Sequence, residues 1–181
     1  MAVTTLVLLA AAQAQATARY DQSPGGAPDS AVMFPKVEGT NLEGRHFRLP
    51  KDFEGELNVV LVAFKREQQK DVDTWTPSLK KLASRHAGLR IYELPTLSRS
   101  YRLMRPFIDG GMSRGIPDRS TREATITLYI DKSPFKKALR ISTENAICVL
   151  LVSRDGKVLW RGEGDFEENA AASLEAAIIG G

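Results

Sequence analysis

The scarcest chemistry-bearing side chains in this chain of 181 residues are one thiol and two imidazoles. A cysteine reacts as the thiolate, which needs access and a neighbouring cation or helix N-terminus. Cys148, the single cysteine, lies inside Ala146-Ile147-Cys148-Val149-Leu150, the composition of a packed strand. Its plain reading is an inert core side chain. The alternative is a one-cysteine thiol peroxidase or reductase, which would need an outside thiol to resolve its mixed disulfides. One cysteine excludes an intramolecular disulfide, a CxxC pair and a cysteine zinc site. His46 and His86 have no acidic or sulfur partner at ligand spacing, so structural roles and no metal are expected. Asp109-Gly110-Gly111 with Asp118 lacks EF-hand spacing and reads as a helix end and turn. Dinucleotide, P-loop, serine-hydrolase and zincin motifs are absent, so no cofactor is expected.

Polar chemistry is left to two segments. Lys65-Arg66-Glu67-Gln68-Gln69 follows an apolar run and precedes a helical pattern. Such a loop leaves the carboxyl end of a strand, where ligands bind in open α/β sheets. The free N–H groups of the helix behind it favour a carboxylate, a phosphate or an acidic peptide. The plain reading is a solvated polar loop. Six arginines stand between Arg99 and Arg122, among them Arg102 and Arg105, against Asp109 and Asp118. They read as a solvated basic face, or as a docking surface for an acidic partner or membrane headgroups. Lys plus Arg is 25 and Asp plus Glu is 22, giving a net charge of +3, too mild to argue for nucleic acid.

These residues are positioned by alternating strand and helix signals. Phe34–Leu49 suggests a hairpin turning at Glu43-Gly44. Asn58–Phe64 is a continuous apolar run, a strand buried on both faces. Val72, Trp75, Leu79, Leu82 and His86 recur at helical spacing, predicting a helix from Lys70 to His86 closed by a left-handed Gly88. Leu89–Leu94 reads as a strand ended by Pro95. Tyr101, Met104, Ile108 and Met112 mark a second helix, with an irregular stretch through Pro117. Thr125–Ile130 is a strand, and Ser133-Pro134 starts a short helix ending near Arg140. Ala146–Val152 is a second buried strand, followed by an Asp155-Gly156 hairpin of type I′. Asp165–Glu168 reads as a capping box for a C-terminal helix with Leu174, Ala177 and Ile178 inward. The order gives an α/β fold with a mixed sheet.

That order, with Val62–Ala83, resembles the thioredoxin-like superfamily in its peroxiredoxin layout. The resemblance implies a three-layer fold, with a mixed central sheet, helices on both faces and an N-terminal hairpin. It places the two redox-cysteine positions at Gln69 and Val72, Pro77 at the helix bend, and Ile147, or a neighbour within one position, where a cis-proline is expected. Leu57–Phe64, Tyr92-Glu93-Leu94-Pro95, Lys132–Leu139 and Val158–Gly164 resemble the assembly factors of mitochondrial ATP synthase and their bacterial relatives. Those are thioredoxin-like proteins without the redox motif. That likeness implies a redox-inactive binding, chaperone or assembly role for a protein partner, including a membrane-associated complex. Lys65, Arg66, Gln68, Gln69, Arg102 and Arg105 are the candidate contacts.

No charge precedes Arg19, Thr5–Ala12 is apolar, and Ala12-Gln13-Ala14 and Ala14-Gln15-Ala16 are small-x-small cleavage signals. Residues 1–16 therefore read as a signal peptide, 17–31 as a flexible lead-in and 32–181 as one domain, exported to the periplasm or secreted. No run reaches the roughly 18 apolar residues of a membrane span.

Overall fold

The computed structural model describes residues 31–180; the expected signal peptide and nearly all of the lead-in lie outside them. Seven strands form one sheet in the order β2-β1-β5-β4-β3-β6-β7. β1 (Val37–Asn41) and β2 (His46–Leu49) make the N-terminal hairpin, and β3 (Leu57–Ala63) is the centre. β3 pairs parallel with β4 (Leu89–Ser98), which pairs parallel with β5 (Ile126–Ile130). On its other side β3 pairs antiparallel with β6 (Cys148–Ser153), which turns back into β7 (Val158–Glu163). The helices are α1 (Gln69–Arg85), α2 (Arg105–Gly115), α3 (Arg119–Ala124), α4 (Lys132–Ala138) and α5 (Glu168–Gly180).

The run that reads as a doubly buried strand forms one because successive side chains alternate between faces. Val59, Leu61 and Ala63 join Val149 and Leu151 beneath Val72, Trp75 and Leu79 of α1 and Leu174 and Ile178 of α5. Val60 and Val62 join Cys148, Leu150 and Phe135 of α4 on the opposite side. Fully burying one such aliphatic side chain contributes about 1.5–3 kcal/mol. The two faces therefore hold the layers together.

Several boundaries differ from the sequence expectation. α1 ends at Arg85, with His86 as its cap in extended backbone, and Gly88 is not among the residues of positive φ; the Gly88 carbonyl accepts the Leu57 N–H. β4 continues through Pro95, because pairing passes there from Ala63 of β3 to Leu128 of β5 opposite Thr96. A proline N lacking a proton is tolerated where one ladder stops and the next begins. α4 is capped by Asp131, whose carboxylate accepts the Ser133 N–H, two residues ahead of the expected Ser133 cap. α5 begins at Glu168, later than a cap at Asp165 would set it. The β6–β7 turn has positive φ at Gly156 alone, with Gly156 N–H donating to Ser153 O, so it is not type I′, which needs positive φ at both central residues.

Asn58, the second residue of β3, is fully buried. Its amide donates to Gly55 O at 3.0 Å and Val152 O at 3.2 Å, while its oxygen accepts the Gly55 N–H at 3.0 Å. Asn58→Ala strands those backbone groups, with an expected stability loss of about 2–3 kcal/mol in chemical denaturation. A loss below about 0.5 kcal/mol would show that water replaces the amide.

Candidate functional site

The carboxyl ends of β3 and β4 open on one edge of the sheet, since the two strands run parallel. A strand end leaves N–H groups without ladder partners, and in a buried position they must be satisfied. Gln68, in the 3₁₀ turn Arg66–Gln68 that follows β3, does this. Its oxygen accepts the N–H of Phe64 at 2.8 Å and of Lys65 at 3.1 Å, and its amide donates to Glu144 O at 2.9 Å. The Lys65 ammonium donates to Asn145 at 2.9 Å. Glu144 accepts Lys132 at 2.5 Å and Lys136 at 2.8 Å, and these hydrogen bonds hold its carboxyl below the usual range. The turn is thus latched to the segment that enters β6.

This corrects the expectation for Gln68, which is buried and turned inward rather than offered to a partner. Lys65 is exposed but engaged. Arg66 is exposed and has no ion pair among the described residues. Gln69, the first expected cysteine position, is exposed at the start of α1 and donates to Asp73 at 3.1 Å. Val72, the second, is core. Ile147 is fully buried, and the cis peptide bond among the described residues is Leu49–Pro50.

Cys148 lies on the face of the sheet opposite Val72 and α1, at 1% exposure. Burial pushes its thiol up to about 12, outweighing the pull of the Arg161 guanidinium. On the order of one thiol in 100,000 would be ionised at neutral pH. The side chain is therefore neither reachable nor activated for nucleophilic attack.

Behind Gln69 stands a group the sequence analysis passed over. Glu93 on β4 is only 9% exposed. Burial raises its pKa to about 7 and the nearby Asp73 carboxylate adds to this, while a hydrogen bond from the Gln69 side chain opposes it. The available signal was a carboxylate between Tyr92 and Leu94 in a run of otherwise apolar strand residues.

The arginine-rich segment divides. Arg119 and Arg122 bridge Glu43 of the hairpin, Arg122 at 2.5 Å, and pin α3 to β1. Asp109 is mid-helix in α2, not a helix end. It accepts Arg105 at 3.1 Å, Thr127 at 3.2 Å and Tyr129 at 2.8 Å. α2 is thereby fastened to β5 by polar contacts, and none of its expected apolar stripe is buried. Gly110 and Gly111 continue the helix.

Arg99, Arg102 and Arg105 line one wall of an open cleft of about 1040 Å³, faced by Lys36, Arg48 and Lys51 near the hairpin. With Arg154 the lining carries seven Lys and Arg against Glu38, Asp131 and Asp155. Arg102 and Arg105 therefore meet in a basic cleft that the 65–69 loop does not line.

No protein family matches the sequence, and no curated protein matches it. Solved structures do. The exposed lipoprotein thioredoxin of Streptococcus pneumoniae superposes with a TM-score of 0.51 at 14% identity, over 78% of this chain and 98% of that one. BsSco, a member of the Sco family of cytochrome c oxidase assembly proteins, gives 0.56 at 14% identity, over 83% and 95%. Yeast Sco1 with copper bound gives 0.55 at 13% identity, over 86% and 95%. The chain has the thioredoxin-like fold. Among the described residues no three His, Cys, Asp or Glu side chains come together to hold a metal.

The folded chain holds the Glu93 proton to about pH 7, whereas the ordinary carboxyl releases it near 4.5. Unfolding therefore sheds a proton between these values, so this group's penalty is absent below 4.5, grows as pH rises and is complete above 7. Glu93→Gln should match the parent near pH 4 and exceed its stability at pH 8 by up to about 3 kcal/mol. A constant difference across that range, measured by urea denaturation, would contradict this assignment.

Proposed function

We propose that this thioredoxin-fold chain is a redox-silent binding protein that holds a polypeptide partner during the assembly of a membrane-associated complex. The observation that carries the reading is the fate of the redox site. Its first position is an exposed glutamine, its second is core, and the lone thiol is sealed on the far side of the sheet. A thiol enzyme needs an accessible thiolate, and none is offered. The alternative peroxidase or reductase would require Cys148 to leave its packing.

What this edge of the sheet retains is a rigid, polar contact surface. The Gln68 latch fixes the turn, and Lys65, Arg66 and Gln69 stand exposed on it. Interfaces gain affinity from such preorganised groups because little is left to order on binding. The Sco likeness supports an assembly role, and the lipoprotein likeness together with the small-x-small signals supports export. Lys132–Leu139 and Val158–Gly164, which suggested the assembly-factor family, serve here as framework. Lys132 and Lys136 clamp Glu144, and Arg161 donates to the carbonyls of Leu139 and Arg140.

Affinity capture of the tagged chain from mildly crosslinked envelope extracts tests the reading. One reproducible membrane-complex partner is expected. Lys65→Glu combined with Arg66→Glu should lower its recovery by about tenfold, since reversed charges inside an interface repel as well as unpair. Unchanged recovery from the double variant would place the contact elsewhere.

A further inference from the structure

The segment Arg99–Met104 is a 3₁₀ helix running into α2. With three residues per turn, side chains at i and i+3 eclipse one another. Arg99, Arg102 and Arg105 therefore fall in one column, and all three line the basic cleft. Tyr101 and Met104 fall in a second column, Leu103 in the third, and Phe107 follows in the first turn of α2. These apolar side chains point away from the protein: Leu103 is 91% exposed, Phe107 74%, Tyr101 54% and Met104 50%. Isolated exposed apolar residues are ordinary, but four within the seven-residue stretch 101–107, next to three arginines, are not.

We propose that this ridge docks the protein on an anionic lipid bilayer. Leu103 and Phe107 enter the interfacial region, while phosphate headgroups seat on Arg99 and Arg102. The shape selects a bilayer over a bound peptide. A peptide in the cleft would neutralise the arginines but leave Leu103 projecting into water, whereas a soft surface buries whatever projects furthest. Charge complementarity points the same way: of the seven cations lining the cleft, Arg48, Arg105 and Arg154 pair with Asp52, Asp109 and Glu56, which leaves Lys36, Lys51, Arg99 and Arg102 against Glu38, Asp131 and Asp155. Arg99, Arg102 and Lys36 have no ion pair among the described residues. Apolar insertion combined with headgroup attraction is how interfacial helices bind without spanning. No helix among the described residues is long and apolar enough to cross a membrane. The inference does not depend on the polypeptide partner, because its test contains no second protein.

Flotation of the full chain with vesicles decides it. The chain should float with equimolar phosphatidylcholine and phosphatidylglycerol, and at least about tenfold less with phosphatidylcholine alone. Arg99→Glu with Arg102→Glu, and separately Leu103→Asn with Phe107→Asn, should each lower anionic-vesicle binding by about tenfold or more. All four positions are on the surface, and circular dichroism confirms that each variant is folded. Absence of flotation overturns the proposal, as does equal flotation of parent and variants. Capture of soluble polyglutamate that depends on Arg99 and Arg102 but not on Leu103 or Phe107 also overturns it, in favour of an acidic peptide.

Discussion

Gln68 closes the end of the central strand, and the geometry of the site follows from that closure. β3 is buried on both faces, so no water reaches the N–H of Phe64 where its ladder stops. One amide side chain takes that group and the next, and passes its own protons to Glu144. An unpaired buried donor costs about 1–3 kcal/mol, so the Gln68 side chain stabilises the turn in this arrangement. A turn held in this way presents Lys65, Arg66 and Gln69 at the surface.

The same logic separates chemistry from framework across the sheet. Alternation along β6 sends Ile147 and Val149 toward α1 and sends Cys148 the other way. The thiol is thus remote from the cysteine positions of the fold because of strand parity, and burial keeps it protonated. At the other side of the sheet, Asp109 does for α2 what Gln68 does for the turn. Its contacts with Arg105, Thr127 and Tyr129 anchor the helix without an apolar stripe. Because polar contacts hold it, the apolar side chains of the preceding 3₁₀ segment are free to face outward.

Much of this was legible in residue order. The apolar runs of β3 and β6, the spacing of α1 and the hairpin of β1 and β2 came from patterns that are local and strong. The thioredoxin resemblance puts Gln69 and Val72 at the redox positions, and the fold sets the first exposed at the start of α1 and the second in the core. What failed was whatever depends on a partner distant in sequence. Gln68 reads as a solvated amide until Glu144 arrives beneath it. Tyr101 and Met104 share a helical apolar spacing with Ile108 and Met112, and only the fold shows that the first two face solvent while the last two are half-buried. Glu93 stands in a plain strand pattern, and its neighbour Asp73 lies on a different element. Pro95 reads as a strand end because the change of pairing partner cannot be seen from one strand.

Thiol silence is the claim from which the binding role follows, and it is open to one direct measurement. The native chain is mixed with excess aromatic disulfide reagent at pH 8, and release of the coloured thiolate is followed before and after denaturation. A thiol with a pKa near 12 and 1% exposure should remain unmodified over hours and react stoichiometrically once unfolded. Stoichiometric reaction of the native chain within seconds would mean that Cys148 reaches solvent as a thiolate. The fold would then be running thiol chemistry, contrary to this account.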